Sequence, residues 1–201
     1  MPKIKICGLR TIEDIQAVNH CMPDFAGFIV EYPKSRRSVT SIELEKLTSE
    51  LSPRICAVGV FVNAPLELAS DLLKRGVIRM AQLHGQEDSA YIHKLQTDAG
   101  AKVIKAFSVK TKEDIALAEV SGADYVLLDQ GNGGTGKTFD WQLAWKLSRP
   151  YFLAGGLGVD NLEQAVRDLN PWAVDLSSSV ETDGKKDPEK IRQAVQMVRK
   201  L

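Results

Sequence analysis

The segment KIKICGLRTIEDI, residues 3–15, ends in TIEDI, which returns almost unchanged as TKEDI at the end of KVIKAFSVKTKEDI, residues 102–115. Each begins with an apolar, β-branched run of strand length and ends where a helical pattern starts. Thr11 and Thr111 precede the helical part, where a Thr can cap the first free amides, and the acids that follow suit the positive end of the helix dipole. The two copies predict a repeated strand–helix unit.

The same unit recurs along the whole chain, with runs starting roughly 20 to 30 residues apart, about the length of one strand plus one helix. The predicted strands are Lys3–Cys7, Phe25–Val30, Arg54–Val62, Ile78–His84, Lys102–Phe107, Asp124–Asp129, Tyr151–Ala154 and Trp172–Leu176. Eight units predict an α/β fold, a single-domain (β/α)8 TIM barrel. The alternative is an open doubly wound sheet, which uses fewer strands and does not place the last beside the first. No Pro/Gly/Ser-rich linker divides residues 1–201, which favours one barrel domain.

Composition narrows the possible functions. Lys+Arg and Asp+Glu number 26 each, and 44% of the 201 residues are hydrophobic. A net charge of zero argues against a nucleic-acid or anionic-membrane partner, since both need a basic excess. The longest apolar run, 55–62, is far shorter than the roughly 18 residues that span a bilayer, and no secretory signal opens the chain. Three cysteines without metal spacing fit a reducing compartment, so we expect a cytoplasmic protein.

In such barrels the active groups follow the C-terminal ends of the strands, and a substrate phosphate often binds the loops after strands seven and eight. Here those loops contain Gly155 and Gly156, and Ser177 and Ser178. Glycines let backbone amides approach an anion closely, and hydroxyls add donors. Gly and Ser are also common in ordinary turns. Their occurrence together at the two expected places favours phosphate binding.

The stretch from Gly131 to Thr138, GNGGTGKT, meets the spacing of a nucleotide-binding P-loop. It follows the sixth predicted strand rather than an early one, and no acidic metal-binding partner accompanies it. We therefore favour a lid with glycine hinges over a site at Asp129.

Cys7 ends the first predicted strand. Because side chains alternate along a strand, Cys7 lies opposite Ile4 and Ile6, and if those meet the helices, the thiol points into the barrel mouth. A cysteine is more often a small core residue. Gly8 and the first helix follow at once, however, and a helix start can stabilise a thiolate.

Two further polar residues follow apolar strands. Asp129 closes YVLLD, residues 125–129, where desolvation would raise its pKa and suit it to general acid chemistry; a cap for the following turn is an equal alternative. Arg36, in the basic loop 34–37, could bind a carboxylate with both nitrogens, although a solvated loop is the commoner role of such residues.

Several ordered blocks of sequence combine these features. They are Lys5-Ile6-Cys7-Gly8, Gly27-Phe28 with Tyr32-Pro33-Lys34-Ser35-Arg36-Arg37, Val58-Gly59-Val60-Phe61-Val62, Gln82-Leu83-His84-Gly85, Leu127-Leu128-Asp129, the run from Gly133 to Trp141, Ala154-Gly155-Gly156-Leu157 and Val174-Asp175-Leu176-Ser177-Ser178. Together they span the chain, which resembles the phosphoribosylanthranilate isomerase family of tryptophan biosynthesis. The resemblance implies an Amadori rearrangement of a phosphorylated aminosugar without cofactor or metal, by a monomer or homodimer.

The resemblance also implies residue roles. Asp129 matches the general acid and Cys7 the general base. Arg36 matches the residue for the anthranilate carboxylate, and Asp175 matches an acid near the sugar hydroxyls. The phosphate loops match at Gly155, Gly156, Ser177 and Ser178, but Ser179 replaces the usual glycine, which predicts altered phosphate affinity.

Two rival functions fit the same barrel. The related aminoaldose isomerase of histidine synthesis acts on a substrate with two phosphates, and after the third predicted strand this chain offers Asn63-Ala64-Pro65 without a glycine pair. A non-catalytic phospho-sugar binding protein would need the phosphate loops but neither Cys7 nor Asp129.

Overall fold

The computed structural model describes residues 1–129 and 147–201, and its centre is a closed barrel of eight parallel strands. The barrel strands are β1 (Lys3–Cys7), β2 (Phe25–Val30), β3 (Cys56–Phe61), β4 (Met80–Leu83), β5 (Lys102–Ser108), β6 (Tyr125–Asp129), β7 (Tyr151–Leu153) and β8 (Ala173–Leu176). The barrel closes because β1 pairs with both β2 and β8, with Lys5 in register with Phe25 on one side and Asp175 on the other. This closure excludes the open sheet and confirms the predicted (β/α)8 fold class.

Helices cover the outside of the barrel. Within the described residues they are α1 (Ile12–Cys21), α2 (Ser41–Ser49), α3 (Leu66–Lys74), α4 (Ser89–Ala99), α5 (Lys112–Glu119), α6 (Leu162–Leu169) and α7 (Pro188–Val198). A short strand, Ser38–Val39, pairs in parallel with the end of β2, and a small antiparallel hairpin joins Glu181–Thr182 to Lys185–Lys186. None of these helices is long and apolar enough to cross a membrane.

The two copies of the threonine–acid motif start helices as predicted. Thr11 forms a capping box with Asp14 at the start of α1, and Thr111 forms one with Asp114 at the start of α5. Each motif satisfies amides that have no partner within the helix, so each fixes where the chain turns from barrel loop to outer helix.

The core has two layers. Outward-facing strand residues such as Ile4 and Ile6 are fully buried against the helices. Inside the barrel, a smaller apolar cluster includes Phe25, Leu127 and Phe152. At its lower end Trp172 stacks on Tyr125, with ring centroids 4.3 Å apart. These aromatic rings fill the N-terminal half of the barrel and leave its C-terminal half for polar side chains.

The glycine-rich stretch from Gly131 to Thr138 lies outside the described residues. The lid and P-loop interpretations of that stretch therefore stay predictions.

Candidate active site

A cavity of about 750 Å³ opens at the C-terminal ends of the barrel strands. Its wall contains every residue that the sequence predicted for the site: Cys7, Arg36, Asp129, Gly155, Gly156, Asp175, Ser177 and Ser178. Parallel strands of a closed barrel end at one rim, so residues far apart in sequence meet there.

Cys7 ends β1 with its side chain directed into this cavity, as strand alternation predicted. Ile4 and Ile6 point outward into the helix layer, whereas Lys5 and Cys7 point inward. The hydroxyl of Ser177 donates a hydrogen bond to the Cys7 carbonyl, with an O···O distance of 3.0 Å. The end of β1 is thereby joined to the loop after β8.

Burial raises the pKa of the Cys7 thiol, and neighbouring charges modify the effect. The Lys5 ammonium lowers the pKa, the Asp175 carboxylate raises it, and Lys186 lowers it. From the sequence we expect the start of α1 to stabilise the thiolate. In the structure α1 begins at Ile12, so its first turn does not follow Cys7 directly. The groups that lower the pKa of Cys7, against the effect of its burial, are the buried lysines Lys5 and Lys186.

Lys5 forms an ion pair inside the barrel. Its Nζ lies 2.9 Å from Asp175 Oδ2, and its side chain is 0% exposed. Burial lowers the pKa of Lys5, but Asp175 and Cys7 together raise it above its ordinary value, so the side chain is an ammonium. Asp175 Oδ1 is buried and has no hydrogen-bond partner within the part of the chain that the structure describes. One oxygen of Asp175 thus holds Lys5, and Asp175 also lines the cavity.

Asp129 ends β6 on another wall of the cavity, and its side chain is largely buried. Its Oδ2 lies 3.7 Å from Nε2 of His84, and the other ring nitrogen of His84 lies 3.1 Å from the side-chain amide nitrogen of Gln82. The amide therefore helps to orient the imidazole toward the carboxyl.

The loop after β4, which carries His84, is fixed by a second buried ion pair. Glu87 accepts hydrogen bonds from the backbone amides of Asn63 and Gly85 at 2.7 and 2.9 Å. Lys105 lies 3.0 Å from Glu87 and also donates to the Gly85 carbonyl at 2.7 Å. Lys105 points inward to hold this loop, a role that the sequence had not suggested.

Three cations surround one carboxylate at the mouth. Glu181 lies 2.6 Å from Arg37, 2.8 Å from Arg36 and 2.9 Å from Lys186. Burial raises the pKa of Glu181, but the hydrogen bonds from Arg37 and Lys186 outweigh this effect and lower the pKa to about 2. Arg36 is the most exposed of the three cations and also lines the cavity. Glu181 therefore positions a guanidinium at the entrance.

The two loops predicted to hold phosphate lie together at the rim. Gly155 and Gly156 have φ values of 82° and 66°, which residues with a side chain rarely adopt. The side-chain amide of Asn161 holds this loop by donating a hydrogen bond to the Gly156 carbonyl at 2.9 Å. Ser177 precedes a single 3-10 turn, Ser178–Val180. Backbone amides and hydroxyls from two loops are thus concentrated at one end of the cavity.

Comparison with known proteins identifies the family of this chain. The model of the family "N-(5'phosphoribosyl)anthranilate (PRA) isomerase" matches residues 4–197. The chain belongs to this family. An N-(5'-phosphoribosyl)anthranilate isomerase from Clostridium acetobutylicum is 43% identical over 209 residues, with both chains covered in full. The sequence-based prediction of a phosphoribosylanthranilate isomerase is confirmed.

Solved structures of this isomerase share the fold over the whole chain. The Thermotoga maritima phosphoribosyl anthranilate isomerase has a TM-score of 0.89 and 34% identity, with 100% of each chain covered. Another phosphoribosyl anthranilate isomerase, solved in complex with reduced 1-(o-carboxyphenylamino)-1-deoxyribulose 5-phosphate, has a TM-score of 0.86 and 33% identity over 100% of each chain.

Sequence reasoning did not predict Gln82, which lines the cavity, or Glu181 and Lys186, which contact residues that line it. Gln82 had a usable signal, because strand alternation puts it on the same face as His84. Glu181 and Lys186 had none, because they belong to a short hairpin whose position depends on the barrel around it.

Ser179, the departure from the isomerase pattern, lies exposed beside the other phosphate loop. A side chain added at Gly158 would approach its Cβ to 3.3 Å, so the two loops are already close at this point. The predicted change in phosphate affinity stays a prediction.

Proposed function

We propose that this chain catalyses the Amadori rearrangement of N-(5-phospho-β-D-ribosyl)anthranilate to 1-(2-carboxyphenylamino)-1-deoxy-D-ribulose 5-phosphate in tryptophan biosynthesis. The observation that carries the proposal is that one cavity receives a thiol from β1 and a carboxyl from β6. An acid and a base on separate walls can act on two sites of one sugar. We place the reaction in the cytoplasm, with the chain acting as a monomer or a homodimer.

The two ends of the substrate match the two ends of the cavity. Its phosphate fits the loops of Gly155, Gly156, Ser177 and Ser178, which offer amides and hydroxyls. Its anthranilate carboxylate fits Arg36, whose guanidinium is held at the mouth by Glu181. A substrate bound at both ends would lie across the space between Cys7 and Asp129.

The chemistry consists of proton transfers. As general acid, Asp129 protonates the ribose ring oxygen; the bond from that oxygen to C1′ breaks, and the anthranilate nitrogen forms a Schiff base with C1′. As general base, Cys7 removes the C2′ proton, which leaves an enolamine. Tautomerisation of the enolamine then gives the ketone at C2′. These steps need neither a metal nor a cofactor.

The buried position of Cys7 is compatible with this role. Burial raises the pKa of the thiol, so the thiolate is a minor species at neutral pH. The positive Schiff base makes the C2′ proton more acidic, so a minor thiolate population is sufficient. Asp175 suits a sugar hydroxyl, because its Oδ1, which has no hydrogen-bond partner among the described residues, can accept a hydrogen bond there.

The isomerase of histidine synthesis is the weaker candidate. A second phosphate would need donors in the loop after β3. There the amide of Asn63 already donates to Glu87, and its side-chain oxygen accepts from the amide of Gln86 at 2.6 Å. Those groups are occupied by contacts within the protein.

A fluorescence assay that follows the loss of phosphoribosylanthranilate tests the proposal. Cys7→Ser and Asp129→Asn should each lower kcat by roughly 10²–10⁴, as expected when a positioned base or acid is removed. Cys21→Ser, which alters a thiol on α1 outside the cavity, is the matched control and should keep wild-type turnover. Near-wild-type turnover in either site variant would remove that residue from the mechanism, and an inactive wild type would contradict the proposed function.

A further inference from the structure

Lys5 is a fully buried ammonium that no step of the proposed reaction uses. Lys5 and Cys7 are two residues apart on β1 and point to the same inner face. Burying a charge is costly unless the charge is paired. A lysine in this place, inside a barrel whose lower half is apolar, therefore calls for an explanation beyond packing.

The backbone of β2 brings Lys5 and Cys7 together. Gly27 pairs with Cys7 across the strands, and a Cβ added at Gly27 would lie 2.8 Å from Cys7 Sγ and 3.1 Å from Lys5 Nζ. The sulfur and the ammonium nitrogen thus lie against the same point on β2. Only a residue without a side chain leaves room for both.

Asp175 fixes the other side of the ammonium. Its Oδ2 lies 2.9 Å from Lys5 Nζ, and the two residues face each other in the register of β1 and β8. The carboxylate limits where the ammonium can go and favours its protonated form. The sulfur of Cys7 therefore has a fixed positive charge beside it.

We propose that Lys5 is a positioning residue that stabilises the thiolate of Cys7, and that Asp175 holds the Lys5 ammonium in place. This inference rests on the proposed role of Cys7 as the base. Lys5 does not take the substrate proton. It keeps a positive charge beside the sulfur, so that the thiol can lose its own proton inside a buried site.

Four charged groups act on the sulfur from the elements around it. Lys5 is on β1, Asp175 on β8, Lys186 on the hairpin and Arg37 on the loop after β2. Lys5 is the strongest of the cations because it is the one packed with Cys7 against Gly27. Lys186 is engaged by Glu181 and by the Ser177 carbonyl, so it contributes less.

The test measures the ionisation of Cys7 without substrate. A Cys21→Ser, Cys56→Ser parent leaves Cys7 as its one thiol, since the chain has three cysteines. The rate of iodoacetamide alkylation as a function of pH then gives the pKa of Cys7. Lys5→Met should raise that pKa by at least about one unit, which lowers the alkylation rate at pH 7 about tenfold.

Two lysine variants calibrate the result. Lys186→Met should raise the pKa of Cys7 by less than Lys5→Met, and Lys105→Met should leave it unchanged, because Lys105 is engaged by Glu87 and the Gly85 carbonyl. An unchanged pKa in Lys5→Met would overturn the proposal. An equal shift in Lys105→Met would overturn it too, since that would show a general effect of losing a buried lysine.

Circular dichroism establishes whether each variant is folded. If Lys5→Met is not, Lys5→Gln replaces it, because this shorter side chain has no charge but still offers Asp175 a hydrogen-bond donor. The pH profile of kcat/KM adds a second measurement. The loss caused by Lys5→Gln or Lys5→Met should shrink as the pH rises, whereas a purely structural defect would lower activity equally at every pH.

The outcomes separate this proposal from the proposed function. An inactive parent whose Cys7 pKa still responds to Lys5 would contradict the isomerase assignment alone. An active parent whose Cys7 pKa ignores Lys5 would contradict the role of Lys5 alone.

Discussion

Two walls of the cavity are each supported by a buried ion pair between a lysine and a carboxylate, and the two pairs have different roles. The thiol wall contains Cys7 with the buried pair Lys5–Asp175. The carboxyl wall contains Asp129 and His84, and the buried pair Lys105–Glu87 holds the loop that carries His84. On the thiol wall the ammonium lies beside the group that reacts. On the carboxyl wall it binds a backbone carbonyl and a carboxylate that itself holds two backbone amides.

The difference shows that a buried ion pair has no fixed meaning. Lys105–Glu87 replaces backbone hydrogen bonds that an irregular loop cannot make for itself, so we assign it to loop structure. Lys5–Asp175 leaves one carboxylate oxygen without a partner among the described residues and places its ammonium against the sulfur, so we assign it to chemistry. If this comparison is right, damage to the two walls should appear in different measurements.

The largest effect on stability should come from the carboxyl wall. Glu87→Gln leaves Lys105 buried without its ionic partner and disturbs the acceptor of two backbone amides. We expect the free energy of unfolding to fall by roughly 3 kcal/mol, the lower range for breaking one partner of a buried pair. Urea unfolding measures this, and the pKa of Cys7 should not move.

Glu163→Gln is the matched control for Glu87→Gln. It removes the same charge from an exposed pair with Arg167 on α6 and should change the free energy of unfolding by no more than about 0.5 kcal/mol. Similar losses in the two variants would end the structural assignment of Lys105–Glu87.

A middle-sized effect on activity is expected from the thiol wall. In Gly27→Ala, the new methyl group would lie 2.8 Å from Cys7 Sγ and 2.9 Å from Lys5 Cε, so both side chains must shift. We expect kcat to fall by roughly tenfold to a hundredfold, since displacements of about 1 Å at a reacting group have effects of that size. Steady-state kinetics gives the value.

Gly122→Ala controls for the added methyl group, because no atom in the described part of the chain lies within 4 Å of a Cβ added there. It should retain wild-type kcat. Gly27→Ala with unchanged kcat would show that the contact between Lys5, Cys7 and β2 has no part in turnover.

The smallest effect should be the loss of stability at acid pH that comes from Glu181, whose cationic neighbours lie at the cavity mouth. Glu181 has a folded-state pKa of about 2, well below the value of about 4.3 for an unfolded glutamate. A lowered pKa contributes stability that is present above about pH 4.3 and is lost as the pH falls toward 2. Because solvent at the cavity mouth screens these ion pairs, we expect the lowered pKa of Glu181 to contribute on the order of 1 kcal/mol to the free energy of unfolding.

The comparison that isolates this contribution is Glu181→Gln. The difference in unfolding free energy between wild type and variant should narrow as the pH falls from about 5 to about 2. A difference that stays constant over that range would mean that the carboxylate of Glu181 gains nothing from its cationic neighbours.

Sequence alone predicted what depends on local pattern. The alternation of Ile4 and Ile6 with Cys7 fixed the direction of the thiol, and the loops after β7 and β8 follow from the general geometry of barrels. The chain could not reveal that Lys5 meets Asp175, because the two are 170 residues apart and meet only through the register of β1 and β8. Glu181 and Arg37, which also form an ion pair, are 144 residues apart in sequence.

Some strand ends were also outside the reach of sequence patterns, although the predicted bounds of β1 and β2 match the structure. β3 begins at Cys56 and β4 at Met80, each two residues later than the apolar runs suggested. Apolar residues such as Ile55 and Ile78 are buried before the ladder starts, so hydrophobicity marks the core rather than the pairing of strands.

The aromatic rings at the base of the barrel affect how substrate enters the cavity and how product leaves it. Phe25, Phe152 and Trp172 contact one another edge-on or tilted, and the ammonium of Lys3 lies 5.6 Å from the Trp172 ring centre. Among the described residues these rings fill the base of the barrel, and the cavity of Cys7 and Asp129 opens above the strands, so we expect substrate, product and exchanging water to use that entrance. A competitive inhibitor must therefore enter by the route the sugar leaves, and a slow-leaving product would block the next turnover by itself.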